Sequence, residues 1–248
     1  MKQFARLIIL ADNLEKAKQF TWFLNKNKLA PTLLVVENSG ISLKKRLKQR
    51  IKKYGLFLTL FWVLRVISSK FTKKENFNKK IKYGALLESN SVNDRVVIDS
   101  IKKIKPKLII NLTSSIICKE IIKLGQNRIF GVHPGILPRY VALSSVEWQV
   151  FDGKIPGFSI FNLTNKIDSG KVYLEEFVEP QKKETLASYR NRFIFEARKN
   201  FAGFVSKNYL RFVAQPIKLK QEKPLNRGLF PLKNYGKLNQ QWKQLTNK

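Results

Sequence analysis

The chain carries one histidine, His133, within Gly131-Val132-His133-Pro134-Gly135-Ile136-Leu137-Pro138-Arg139-Tyr140. An imidazole changes charge near neutral pH, so it can pass a proton or donate a hydrogen bond to developing negative charge. Two prolines and a glycine after an apolar run fix an irregular backbone here and aim the ring at the end of a strand. The second group with a chemical reading is Asp168, in Lys166-Ile167-Asp168-Ser169-Gly170. A carboxylate near an imidazole orients the ring and favours its charged form. Taken singly, both residues have plainer readings. Most histidines simply find a hydrogen-bond partner, and Asp and Gly gather in turns for backbone reasons.

The flanking sequence predicts what must hold these residues. Residues 4–10 form a nearly continuous apolar run, the pattern of a strand buried on both faces. Asp12 and Glu15 are spaced to cap a helix reaching about Leu29, and Pro31 stops it before a second strand over 32–36. The first turn, Leu10-Ala11-Asp12-Asn13, lacks the glycines of a dinucleotide fingerprint. A third strand is expected over 82–87, a helix over 94–104 capped by Asn93, and a fourth strand over 108–112. A helix over 115–124 and a fifth strand over 128–132 follow, then a helix over 145–151 and strands over 158–163 and 171–177. A long amphipathic helix lies within 185–213. This alternation predicts an α/β fold with a doubly wound, mainly parallel sheet of Rossmann type. Ligands of such sheets collect beyond the carboxyl ends of the strands, which puts Asn111, Thr113 and the segment from Gly131 on the functional edge.

Two regions stand apart from this pattern. Over 41–80, Leu43, Leu47, Ile51 and Tyr54 recur at helical spacing among lysines and arginines, and an apolar stretch over 56–64 follows. The segment reads as a basic amphipathic helix, either packed on the sheet or lying on an anionic membrane surface. Its apolar part is well short of the roughly 20 residues that span a bilayer. The tail from Gln215, with Pro216, Pro224, Gly228, Pro231 and Gly236, reads as an irregular strap with short strands. The expected organisation is one domain over 1–213 with the insertion at about 41–80, and the strap over 214–248.

Lys and Arg number 48 against 17 Asp and Glu, a formal charge of +31. Such a balance attracts phosphate-rich partners: nucleic acid, anionic membrane, nucleotide sugars or a polyglutamylated cofactor. A set of merely solvated lysines would give the same number. One cysteine, Cys118, excludes an intramolecular disulfide. The first residues show no small-residue cleavage site, and a cytoplasmic setting is expected.

The segment 131–140 resembles the Asn-x-His-Pro-x-x-Leu-Pro signature of the 10-formyltetrahydrofolate-dependent formyltransferases. That family includes enzymes acting on glycinamide ribonucleotide, methionyl-tRNA and nucleotide-linked amino sugars. A second match lies in register: Pro156-Gly157-Phe158-Ser159-Ile160-Phe161, then Lys166 to Val172 with its Asp-x-Gly loop. The resemblance runs from about 108 to 177, and the segment 39–80 has no counterpart in it.

The resemblance implies 10-formyltetrahydrofolate as formyl donor and a small amine as acceptor, most of all an amino-sugar nucleotide. It implies that His133 stabilises an oxyanion, while Asp168 orients the ring and helps remove the amine proton through water. Gly131, Pro134, Gly135, Leu137, Arg139, Thr113 and Gly170 are the implied substrate-binding positions, with Arg139 holding acceptor phosphates. No metal is implied. Two positions depart from the pattern. The family's asparagine is Gly131 here, and a glycine after the Leu-Pro stretch is Ala142. Loss of one oxyanion donor costs about 2.7–4 kcal/mol, so activity requires a replacement, either Asn111 or an ordered water. Two alternatives stay open: a catalytically silent relative that binds nucleic acid or anionic membrane, and a formyltetrahydrofolate hydrolase.

Overall fold

The computed structural model describes residues 4–38, 81–209 and 227–247, with isolated positions 47–48, 51–52, 55–56, 59–60, 63, 216 and 224–225. Seven strands form one sheet: β1 (Ala5–Ala11), β2 (Pro31–Glu37), β3 (Ala85–Ser89), β4 (Leu108–Leu112), β5 (Ile129–His133), β6 (Gly157–Asn162) and β7 (Val172–Phe177). Their spatial order is β3-β2-β1-β4-β5-β6-β7. Strands β1 to β5 pair in parallel, whereas β6 pairs antiparallel with both β5 and β7. The chain winds outward from β1 through β3, then returns to place β4 on the other side of β1. That reversal opens a crevice at the carboxyl ends of β1 and β4, the usual ligand position in such sheets.

Helices cover both faces. Leu7, Ile9, Leu34, Ile110 and Phe130 pack against α1 (Leu14–Lys26) and α5 (Leu186–Asn208). The alternate residues Ile8, Leu10, Val35, Ile109 and Ile129 meet α2 (Arg95–Ile104) and α3 (Lys119–Gly125). Burial on both faces is why β1 and β2 read as continuous apolar runs. Phe20 of α1 and Phe201 of α5 are fully buried, with ring centroids 5.2 Å apart, and join the two helices over the sheet.

Several boundaries differ from expectation. Asn13, not Asp12, caps α1, its Oδ1 accepting from the Lys16 backbone N–H at 2.8 Å. The helix ends at Lys26, where Lys28 turns into the left-handed region, and Pro31 opens β2 instead of stopping the helix. Helix α3 starts at Lys119, because residues 113–118 form a loop pinned by Asn93. That side chain donates to Ile116 O and accepts from Cys118 N, so it cannot cap α2. Asp94 stands at the α2 N-cap.

The tail corrects the expectation of short strands. It holds α6 (Tyr235–Thr246), and Leu238 and Trp242, one turn apart, are buried. Trp242 Nε1 donates to Glu184 O at 2.8 Å, and Phe230 stacks edge-on with Trp148 of α4 (Ser145–Phe151) at 4.7 Å. The basic amphipathic segment lies largely outside the described residues. Its described positions between 47 and 63 are helical, with Thr59 buried while Leu56 is 68% and Leu60 54% exposed. No helix among the described residues is long and apolar enough to cross a membrane.

Phe201→Ala should remove about 3–5 kcal/mol of stability, read from the shift in a denaturant midpoint with unchanged slope. A second prediction concerns Glu184 at the foot of α5. Burial is the largest single influence and would raise its pKa, but hydrogen bonds from Arg192 at 2.6 and 2.9 Å, the Gln181 N–H and the Arg192 charge together outweigh it and hold the carboxyl below the usual glutamate range. A depressed pKa contributes stability that is present above the unfolded value near ~4.3 and lost as pH falls through the folded one. Urea unfolding below about pH 4.3 should show that acid loss. Arg192→Gln should reverse its sign, since burial then dominates.

Candidate active site

His133 is the last residue of β5 and only 8% exposed. Its Nε2 lies 2.8 Å from the Tyr140 carbonyl. A carbonyl can only accept, so Nε2 carries a hydrogen. Ser145 Oγ is 3.2 Å from the same nitrogen and gives its own hydrogen to Ala142 O at 2.6 Å. The other edge of the ring faces Asp168, with Nδ1 3.4 Å from Oδ2. With Nε2 already committed, Nδ1 is the nitrogen available for chemistry, and it donates only when the ring is doubly protonated.

The turn after β5 is built to deliver the Tyr140 carbonyl. A Cβ at Gly135 would lie 2.7 Å from Tyr140 O and 2.9 Å from Ser145 Cβ, so only glycine lets the chain fold back this closely. Ser159 of β6 braces the turn from below, its Oγ donating to Gly135 O and accepting from Leu137 N, each at 2.9 Å. Asp168 sits in the β6–β7 loop with φ of 47°, a left-handed conformation that aspartate tolerates better than most residues. Gly170 closes this loop. A Cβ there would fall 1.6 Å from Asn162 O.

Asn111 of β4 and Gly131 of β5 are direct partners in the parallel ladder. Strand periodicity then puts Asn111, Gly131 and His133 on one face. Asn111 Oδ1 accepts from Thr113 N at 3.3 Å. The space beside Gly131 is taken by Leu163, whose Cδ1 would be 3.0 Å from a Cβ at position 131. An apolar side chain thus stands where the sequence suggested an ordered water.

These residues meet in a cavity of about 610 Å³ at the carboxyl edge of the sheet, lined by Asn111, Thr113, Gly131, His133, Pro134 and Asp168. Four other expected positions do not line it. Gly135 and Gly170 serve backbone packing, and Leu137 is buried against Phe161 and Val172. Arg139 lies on the far side of the turn, its guanidinium 5.7 Å from the Tyr140 ring centroid and its carbonyl accepting from Leu225 N. It therefore does not reach the cavity to hold a phosphate.

The opposite wall is one that sequence reasoning missed. It presents Lys16 of α1 and Arg198 of α5 beside Phe193. Lys16 Nζ binds Asp12 Oδ2 at 2.7 Å and Leu112 O at 3.0 Å, and Arg198 donates to Gln19 Oε1 at 2.7 Å. Burial pulls the pKa of Lys16 below the usual lysine range despite Asp12, and lowers that of Arg198 as well. Ile116, Leu143, Ile167 and Ile194 stand exposed at the rim. These side chains come from separate loops and helices, and only the Asp12–Lys16 spacing of four carried a signal. Among the described residues no three His, Cys, Asp or Glu converge as a metal site.

Comparison with known proteins gives this geometry a family. The profile described as Formyl transferase matches residues 62–205. The bifunctional polymyxin resistance protein ArnA of Wigglesworthia glossinidia brevipalpis is 27% identical over 118 residues, covering 47% of this chain and 18% of that protein. The chain thus spans under a fifth of that relative's length. Among solved structures, a sugar N-formyltransferase from Shewanella sp FDAARGOS_354 superposes with a TM-score of 0.58 at 15% identity, over 95% of this chain and 87% of that one. The formyltransferase PseJ from Anoxybacillus kamchatkensis, in complex with UDP-4,6-dideoxy-4-formamido-L-AltNAc and tetrahydrofolate, gives 0.51 at 12% identity, over 97% and 95%. The family profile covers more than half of the chain and includes both His133 and Asp168, and on that match this protein belongs to the formyl transferase family.

Proposed function

We propose that this protein moves a formyl group from 10-formyltetrahydrofolate to the amine of a small acceptor, an amino-sugar nucleotide. One observation carries the reading: His133, its Nε2 spent on Tyr140 O, turns Nδ1 toward Asp168 at 3.4 Å in an open cavity. The cavity volume falls in the range of small-molecule sites, roughly 300–1,000 Å³. The apolar walls from Ile117, Phe161, Leu163 and Ile167 fit a flat heterocycle. When bound, the folate supplies the formyl group. The amino-sugar acceptor is supported by the sugar N-formyltransferase likeness and by the sugar nucleotide held in PseJ.

The residues divide the work by geometry. His133 donates Nδ1–H to the oxygen that gains negative charge as the amine attacks. Asp168 balances the imidazolium and, being 24% exposed, reaches a water that takes up the amine proton, while the bond from the formyl carbon to the donor nitrogen breaks and that nitrogen is protonated. Lys16 and Arg198 give the facing wall its cations, suited to an acceptor that carries phosphate.

Incubation with 10-formyltetrahydrofolate and a panel of amino-sugar nucleotides should yield an N-formyl product detectable by mass. His133→Ala and Asp168→Asn should each lower kcat by about 10²–10⁴-fold. Folded protein giving no product across the panel would sink this reading, and folate release without acceptor would turn it toward hydrolysis.

A second reading concerns where the reaction occurs. Lys48 and Lys52 lie before Gly55 and Leu56 and Leu60 after it, each pair at helical positions four residues apart, and all four side chains are exposed. Exposed cations followed closely in sequence by exposed leucines suit the surface of an anionic bilayer. Sedimentation with phosphatidylserine vesicles should retain the protein at low salt and release it at high salt. Leu56→Glu/Leu60→Glu should abolish retention. Equal retention by neutral vesicles, or an undiminished double variant, would refute surface docking.

A further inference from the structure

Stabilising an oxygen that turns negative takes more than one aimed donor, and each donor removed from such a site costs about 10²–10³-fold in rate. His133 supplies one, at Nδ1. The position beside it on β5, Gly131, has no side chain, and Leu163 over it is apolar. Two nearby hydroxyls are spent elsewhere: Thr113 Oγ1 and Ser115 Oγ both donate to Glu37 Oε2, at 3.1 and 2.6 Å. The Lys16 ammonium is held by Asp12 and Leu112 O.

Asn111 differs from all of these. It faces the cavity from the register position opposite Gly131, about 4.8 Å away across the parallel ladder. Its Oδ1 is fixed by Thr113 N, which orients the amide. Its Nδ2 carries two hydrogens and makes one long hydrogen bond, 3.5 Å to Thr113 O, so it retains donor capacity. We infer that Asn111 is the second oxyanion donor of this site. The amide is carried by β4 instead of β5, and Leu163 closes the vacated space so that water does not compete for the oxygen. Positions 111, 131 and 163 form one coupled unit: a side chain at 131 requires Leu163 to yield, given the 3.0 Å contact.

This inference rests on the formyl-transfer reading, and a spectroscopic test separates the two. The probe is 10-formyl-5,8-dideazafolate, carrying ¹³C in the formyl carbonyl and bound without acceptor. Isotope-edited infrared difference spectra should show the carbonyl band of the bound probe below that of the free one. Asn111→Leu, which keeps the volume and removes the donor, should move the band part of the way back while the probe still binds. It should also lower kcat by about 10²–10³-fold. Adding Gly131→Asn with Leu163→Ala to that variant should restore the shift. If Asn111→Leu does not fold, Asn111→Ala asks the same question. A band left at the wild-type position in the Asn111 variant overturns the inference. Failure of the wild-type protein to bind the probe instead overturns the formyl-transfer reading.

Discussion

The hydrogen bond between His133 Nε2 and the Tyr140 carbonyl, 2.8 Å long, is the constraint on which the site depends. It decides which ring nitrogen faces the cavity, and the segment after β5 is organised around keeping it. Glycine at 135 lets the turn close, Ser159 holds the turn to β6, and Gln149 binds Gly157 through both ends of its amide. The tail then fastens the outside. Leu225 N–H donates to Arg139 O, Phe230 N–H to Ser144 Oγ, and Trp148 Nε1 to Gly228 O. Arg227 pairs with Asp152, which also accepts from the Tyr140 phenol. Burial, reinforced by Asp152, pushes that phenol up to about 12, so it remains a donor throughout the neutral range. A ring held this way loses little entropy on reaching its working orientation.

The sheet explains why such a constellation sits where it does. Burial of β1, β2 and β4 between helix layers makes up much of the core, which Val92 and Ile117 join from the carboxyl-edge loops. Those loops also carry polar groups whose partners are other loop atoms. Lys16 shows the cost of a place at that edge. Desolvation lowers its pKa, and Asp12 offsets only part of that penalty. A desolvated cation with a charge partner at the wall of a cleft is a candidate for contact with a ligand.

Much of this was legible in the residues. The run 108–112 and the segment 145–151 match β4 and α4 to the residue, because apolar runs bounded by turn formers leave few choices. His133 and Asp168 stood out through the resemblance of their two segments to the formyltransferase signature, in register with each other. What escaped was set by partners distant in the chain. Asn93 looks like a cap until Ile116 and Cys118 claim both ends of its amide. Residues 235–246 look irregular until Leu238 and Trp242 find a place to be buried. Leu163 gave no sign of its role, since that role consists of filling space beside a glycine thirty-two positions earlier in the sequence.

The fastening of the turn by residues 225–230 has a consequence for biogenesis. During synthesis the sheet and α5 leave the ribosome before the segment that locks the outside of the turn, and domains tend to fold from the amino end as they emerge. The scaffold can therefore be assembled while the turn that holds the imidazole is not yet fastened from outside, and the ring reaches its final setting only once the segment around Arg227 has emerged.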